Sequence, residues 1–290
     1  MAQKFENWNF KRFERRVGIK RRYKSSSSSL DLALNAFSKT SIKSEKLALV
    51  YTTQTPTYII PGDAHVFAEH TSGKVNWNAI YQLSNGCTGF VDSLILIKEL
   101  GLKNVVVVNT DTYNSIIHPL DRMNQSLFSD CASVVYIDST VYLGNSSTVN
   151  LFQDWKHLTC EREQDSDELI NEYAKGSSSS QSYFWMNGPE VYDFAINKVL
   201  PHVRLILEQQ TSRIDVIILH QANKMMLELF KEEFQEEVGD IPINIENGNL
   251  VGCTIPFVLN DNKERYRKKN ILLVGFGVGL KISTINIRYE

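Results

Sequence analysis

Seven consecutive residues, Ser84-Asn85-Gly86-Cys87-Thr88-Gly89-Phe90, set a thiol between two glycines. A thiol is a soft nucleophile that can hold an acyl group as a thioester. The run Ala79 to Leu83 before it reads as a strand, and Phe90 to Leu100 after it reads as a helix. Cys87 then stands where a strand turns into a helix N-terminus. The glycines permit a tight turn and close approach of a ligand to the backbone. The positive end of a helix favours thiolate at such a place. A buried, inert cysteine fits the same stretch, because free cysteines are among the most buried residues. On these seven residues alone both readings stand open.

Three other groups sit where a sheet would present them. His220 ends the apolar run Asp215-Val216-Ile217-Ile218-Leu219. Asn249 closes the turn-like stretch Glu246-Asn247-Gly248-Asn249. Gly275-Phe276-Gly277-Val278-Gly279 ends the run Ile271 to Val274. Ligands of α/β sheets gather beyond the C-terminal ends of strands. Taken singly, His220 reads equally as a core histidine and Asn249 as a turn residue. The glycine loop lacks the third glycine of a dinucleotide fingerprint and no helix pattern follows it, which excludes a Rossmann cofactor site.

The elements that must position these groups come in two sets. Lys46 to Tyr51, Asn104 to Asn109 and Asp130 to Ile137 read as strands, the second with four consecutive valines, as in a sheet covered on both faces. With a helix between strands, they suggest βαβ crossovers. Later, Pro189 to about Gln210 reads as a helix that Pro201 kinks or breaks. Asn223 to about Val238 reads as a helix with Met226, Leu229, Phe230 and Phe234 on one face. Ile282 to Arg288 alternates as a half-buried strand. Two α/β halves with mostly parallel sheets follow. Serine runs at 25–29 and 177–180 read as flexible surface loops, and the second is the natural cut between the halves.

Composition narrows the class. The chain has 290 residues, 42% hydrophobic and 22% charged, with a net charge of −2, so no global nucleic-acid signature exists. Basic residues crowd the first 24 positions, among them Arg12, Arg15, Arg16 and Arg22; they form either a solvated face or a patch for an anionic partner such as a phosphate or an acidic carrier protein. The four cysteines show no paired spacing and no metal-ligand spacing with the six histidines. No leader opens the sequence and no apolar run approaches the ~20 residues of a membrane span, so a cytoplasmic protein with reduced thiols is expected.

Together the motifs resemble the β-ketoacyl-acyl carrier protein synthase III branch of the thiolase superfamily. Gly86-Cys87-Thr88-Gly89-Phe90 is similar to its nucleophile motif, and His220-Gln221-Ala222-Asn223 matches its His-Gln-Ala-Asn motif letter for letter. Gly248-Asn249 with Ile255-Pro256, and the closing glycine loop, resemble two further motifs. Supporting matches are Arg16-Val17-Gly18-Ile19, Phe128-Ser129-Asp130 and Met186 to Tyr192. His220 follows Cys87 by 133 residues and Asn249 follows His220 by 29, which suits the family.

The resemblance implies a thiolase-like α/β fold. Two similar halves pack as α-β-α-β-α layers: 1–176 with the nucleophilic cysteine, 181–290 with the histidine and asparagine. It implies a Cys87-His220-Asn249 triad, no cofactor and no metal. Acyl-CoA or acyl-carrier protein loads Cys87, and a malonyl-carrier protein then condenses with it after losing carbon dioxide, in fatty-acid or polyketide-type synthesis. His220, neutral with a proton on Nε2, and Asn249 bind the malonyl thioester carbonyl; backbone N–H groups at Cys87 and the Gly277-Val278-Gly279 loop hold the second oxyanion. Arg12, Arg16 and Asn223 flank the carrier or CoA mouth. Ile60 lies in the acyl pocket, across a dimer interface. The partner is an acyl carrier protein, and the assembly is a homodimer or a heterodimer with a paralogue; no nucleic acid or membrane is involved.

Four departures from the family pattern shape the expectations. Only about 15 residues precede Arg16, so the first half is expected to lack its N-terminal strand. Arg12 stands where a tryptophan commonly stacks on CoA adenine, and Trp8 is displaced by four; this favours a carrier-protein donor. Val278 replaces a common glycine. Ile60 replaces an aromatic, which suggests room for a longer or branched acyl chain. Two other readings remain: an acyltransferase to an amine or hydroxyl acceptor, and a non-catalytic partner subunit.

Overall fold

A computed structural model describes residues 10–160 and 183–290. The serine run at 177–180 and Trp8 lie outside the described residues. The first sheet joins β1 (Ser44–Thr52), β2 (Val75–Leu83), β3 (Val105–Asp111) and β4 (Cys131–Ile137) in the order β2-β1-β3-β4. The second joins β5 (Val141–Asn150), β8 (Val216–Leu219), β9 (Ile271–Gly277) and β10 (Lys281–Tyr289) in the order β5-β10-β9-β8. A short pair, β6 (Leu158–Thr159) and β7 (Trp185–Met186), lies apart.

The first sheet is mostly parallel, as expected, whereas antiparallel pairs outnumber the parallel one in the second. β1 runs parallel to β2 and β3, and β8 parallel to β9, but β3 is antiparallel to β4, and β10 to both β9 and β5. The reason is connection length: only residues 278–280 join β9 to β10, too few for a parallel crossover. β5 pairs with β10, so the sheets divide the chain between β4 and β5, earlier than the serine run at 177–180. Among the described residues β4 has no strand on its outer side, whereas β10 has β5 in the matching place.

Strand alternation builds the layers. On β1 and β3, Leu47, Leu49, Tyr51, Val106 and Val108 face outward to α2 (Ser29–Ser38) and α3 (Asp63–Thr71). Ala48, Val50, Val105 and Val107 face inward to α4 (Gly89–Glu99) and, beyond it, to Ile218, Leu273 and Ile285 of the second sheet. α4 is apolar nearly all round, with Phe90, Val91, Leu94 and Ile97 buried, and so belongs between the sheets. Each of these side chains contributes ~1.5–3 kcal/mol by leaving water. α9 (Thr254–Asp261) shares that middle layer through Ile255 and Val258.

The outer face of the second sheet carries α6 (Gly188–Phe194), α7 (Leu200–Glu208) and α8 (Lys224–Phe234). The run from 189 continues through Pro201 rather than stopping there. A π turn, Ala195–Val199, precedes the proline and absorbs its missing N–H. On α8 it is Leu227, with Met226, Phe230 and Phe234, that is buried, while Leu229 is partly exposed. The serines at 25–29 are no simple loop: Ser28 caps α2 in a capping box with Asp31, and Ser29 is buried on the Thr55 carbonyl at 2.7 Å.

α1 (Phe10–Val17) and the basic segment after it cross onto the second half. Lys20 and Arg21 N–H groups donate to the Glu246 carbonyl, each at 3.0 Å. Arg22 reaches the Asn114 side chain and the Phe128 carbonyl, each at 3.3 Å, and burial lowers its pKa. Part of the basic segment therefore holds the halves together rather than facing solvent.

Candidate active site

Cys87 lies in a 3₁₀ turn, Gly86–Thr88, that β2 feeds and α4 continues. Gly86 has φ +48, a left-handed value that a turn this tight requires. The thiol is buried against the glycine loop: a Cβ on Gly277 would stand 2.9 Å from Cys87 Cβ and 3.1 Å from Sγ. Glycine at 277 lets the loop close on the sulfur, and the N–H groups of Val278 and Cys87 point at it. These donors pull the thiol pKa down, but burial and then the Asp111 carboxyl outweigh them and push it up to about 12. The expected thiolate gives way to a protonated thiol, because desolvation exceeds the pull of the helix end.

His220 follows the last residue of β8, and its N–H is fixed by the Val274 carbonyl of β9 at 2.8 Å. Burial lowers its pKa to about 3, so the ring is neutral at physiological pH. A chain of hydrogen bonds assigns the tautomer. The Thr254 hydroxyl donates to the Val251 carbonyl at 3.1 Å and lies 2.8 Å from His220 Nδ1. Asn249 Oδ1 accepts the Val251 N–H at 2.9 Å, which turns its Nδ2 toward His220 Nε2 at 3.5 Å. Nδ1 thus carries the proton, and Nε2 offers a lone pair to the site.

Asn249 is strapped by its backbone. Its N–H donates to the Leu127 carbonyl at 2.8 Å and its carbonyl accepts from Ser129 N–H at 3.0 Å. The neighbouring Gln221 is structural: its amide ties the Leu219 carbonyl to the Asn244 N–H, each at 2.7 Å.

Cys87, His220, Asn249, Gly277 and Val278 line one cavity of about 320 Å³. Its mouth includes Arg16, Val17, Asn223 and Met225, and its walls are mainly apolar. Asn223 also caps α8, accepting the Met226 N–H at 3.0 Å. Three expected residues lie elsewhere. Arg12 is on α1 outside the lining, and so is Gly279, at φ +75 in the turn beyond it. Ile60, expected in the pocket across a dimer interface, is 87% exposed beside Tyr58 and Ile59 and lines no part of its own chain's cavity.

Sequence reasoning missed Asp92, whose carboxylate clamps the Cys87 turn. Its Oδ2 accepts from Asn85 Nδ2 and Thr88 Oγ1, both at 2.6 Å. Its Oδ1 accepts from Ser283 Oγ at 2.6 Å and pairs with Lys281 Nζ at 2.9 Å. One side chain thus links both flanks of Cys87 to β10, the strand that leaves the glycine loop. A buried acid in an apolar helix was the available signal. Asp111, also missed, ends β3 near Cys87; burial raises its carboxyl to about 7 against hydrogen bonds from Gln54, Thr55 and Thr53.

Cys131 and Cys253 are buried and donate to the Leu250 and Asn109 carbonyls at 3.1 and 3.2 Å. Among the described residues, no group of three or more His, Cys, Asp or Glu could hold a metal, and no helix is long and apolar enough to cross a membrane.

The layers, the sheet order and this cavity define a thiolase-like protein. Solved structures share the fold: one of a 3-oxoacyl-(acyl-carrier-protein) synthase III superposes with a TM-score of 0.84 at 24% identity, covering 99% of this chain and 94% of the other. The priming β-ketosynthase of the R1128 polyketide pathway gives 0.78 at 20% identity, covering 100% and 90%. In sequence, the family model for 3-oxoacyl-[acyl-carrier-protein] synthase III matches residues 81–153, and the model for its C-terminal part matches 208–289. The β-ketoacyl-[acyl-carrier-protein] synthase III of Clostridium acetobutylicum is 30% identical over 94% of this chain and 88% of its own length. That of Clostridium novyi is 29% identical over 99% and 93%. The chain belongs to the β-ketoacyl-[acyl-carrier-protein] synthase III family, and its activity is that of a condensing acyltransferase of this type.

Proposed function

We propose that Cys87 takes an acyl group as a thioester and that His220 and Asn249 then promote decarboxylative condensation with a malonyl thioester. The observation that supports this is the meeting of three side chains and two backbone donors, from both halves, around one cavity. With the thiol pushed up to about 12, acylation needs a base, and the Nε2 lone pair of His220 is that base. The proton passes on to the departing thiol. The Val278 and Cys87 N–H groups, already aimed at the sulfur, take the oxyanion of each tetrahedral intermediate. Between the steps the neutral ring gives its Nδ1 proton to solvent and takes one from solvent on Nε2, and in the second step Asn249 Nδ2 and His220 Nε2–H donate to the malonyl thioester oxygen as the enolate forms. The Thr254 hydroxyl serves both tautomers, accepting from Nδ1–H in one and donating to Nδ1 in the other.

The substrates are acyl and malonyl groups on an acyl carrier protein, with CoA thioesters as alternative loading donors, and neither metal nor cofactor takes part. The carrier docks on the basic face at Arg12, Arg15 and Arg16, and the reaction runs in the cytoplasm. The exposed Tyr58-Ile59-Ile60 loop and the edge strand β2 meet a second copy. Each half, divided between β4 and β5, supplies part of the site.

Release of carbon dioxide from malonyl-carrier protein by an acyl-loaded chain tests the scheme. His220→Ala and Asn249→Ala should lower it by about 10²–10³-fold. A wild-type chain that loads Cys87 but releases none refutes condensation. It would favour transfer to an amine or hydroxyl acceptor, for which the Nε2 lone pair is also a suitable base. Loading compared between acyl-CoA and acyl-carrier protein identifies the donor; efficient use of CoA alone refutes the carrier preference.

A further inference from the structure

We propose that Tyr113 sets the length of the acyl group Cys87 accepts, so that the site takes chains of acetyl or propionyl size and refuses medium and long ones. This rests on the acylation of Cys87 proposed above.

The cavity that holds Cys87 ends on Tyr113, Phe128, Leu158, Phe184 and Val278. Behind that wall is a second hollow of about 170 Å³, lined by Gln54, Ser84, Ile116, Thr159 and Cys160. Tyr113, Leu158, Phe184 and Val278 border both spaces, while Cys87 borders only the first. An acyl chain growing from the sulfur therefore meets this partition before it meets more room.

Tyr113 is the member of the partition fixed on several sides. It is 2% exposed, stacked on Phe128 at 5.0 Å between ring centroids and edge-on to Phe184 at 5.1 Å. Its hydroxyl donates to Gln54 Oε1. Gln54 is itself crowded, packed so closely on Gly86 that a Cβ there would collide with its amide. Swinging the ring aside would break a buried hydrogen bond and open voids among three aromatics, so the closed form is the resting one. Within its own chain Ile60 lines neither space, whereas Tyr113 lines both.

The test measures acylation of Cys87 by intact-protein mass spectrometry, with acetyl, butyryl, hexanoyl and octanoyl donors on CoA and on carrier protein. Wild type should load acetyl at least about 100-fold faster than octanoyl. Tyr113→Leu and Tyr113→Ala should cut that ratio below about tenfold, by admitting the longer chain into the second hollow. Equal loading of acetyl and octanoyl by wild type overturns the proposal, as does an unchanged ratio in Tyr113 variants that still load acetyl. If both Tyr113 variants fail to load acetyl, Gln54→Ala decides: it frees the ring without emptying the core, and an unchanged ratio overturns the proposal. A wild-type chain that loads no acyl group from either donor refutes instead the acylation of Cys87.

Discussion

Two turns in this molecule share one backbone and differ in what they present. Gly86–Thr88 leads into α4, and Val251–Cys253 leads into α9. The residues before them are alike, Asn85 at φ −109, ψ 2 and Leu250 at φ −94, ψ 20. The first residues match more closely, Gly86 at φ +48 and Val251 at φ +49. The turns lie back to back, so that a Cβ on Gly252 would stand 3.0 Å from the Gly86 carbonyl oxygen. One turn offers a thiol to the cavity. The other offers none and orients Asn249 and His220 through the Val251 N–H and the Thr254 hydroxyl. The left-handed residue is glycine in the first, where Gln54 crowds it, and a buried valine in the second, which bears the backbone strain for the sake of its packing. The same geometry thus presents a thiol on one side and holds the Asn249 and His220 side chains on the other.

The largest expected effect tests the claim that only one turn carries the reactive sulfur. Cys87→Ala should abolish acyl loading and cut condensation by more than about 10³-fold, while Cys253→Ala stays within about threefold of wild type. Equal losses from both would erase the distinction. Next in size is the clamp that only the first turn possesses. Asp92→Asn should lower the turnover of loading by about 10–100-fold with KM for the acyl donor nearly unchanged, since it loosens the sulfur and not the mouth. A variant with raised KM and normal turnover would remove Asp92 from this positioning role.

A smaller effect separates glycine from valine at the shared φ. Gly86→Ala costs about 1–2 kcal/mol in the backbone and displaces Gln54, so both stability and loading should fall. Val251→Ala removes two buried methyls, about 1–2 kcal/mol, and should leave loading within a few-fold. Urea unfolding with parallel loading assays measures both.

The smallest is a pH effect. Asp111 has a folded pKa of about 7, above its ordinary 3.8, so the native state holds its proton longer and loses stability as pH rises between them. His220, about 3 against 6.5, acts in the opposite direction: its contribution is full above 6.5 and is lost as pH falls towards 3. Asp111→Asn should therefore lose less Tm than wild type between pH 5 and pH 8. An identical decline in thermal melts would show that Asp111 is not the titrating group.

How legible the molecule was depended on the range of the forces. Strands such as Val105–Asp111 and the helix α4 announce themselves, because burial on two faces demands unbroken apolar runs. Cys87, His220 and Asn249 were visible as a set through their motifs, although each alone fits a bland role. Connectivity was less legible: β5 joins the second sheet although it precedes the serine run, because strand pairing is non-local. The thiol's protonation was also hidden, since helix end and burial oppose each other and only the closed glycine loop decides. Asp92, Thr254 and Tyr113 act through partners distant in sequence, Ser283, His220 and Gln54, which no local pattern reveals.

The place of α4, enclosed by a sheet on each side, bears on how the protein fails. Amide exchange is fast where a segment can open by itself and slow where opening requires the whole domain to come apart. The stretch from Phe90 to Ile97 buries all its residues but Ile95 and Leu96, which are partly buried, so it has little solvent face to fray from. Its amides should exchange only at the rate of global unfolding. Heat should then extinguish the reaction and the fold at one temperature, with no inactive but folded state between them.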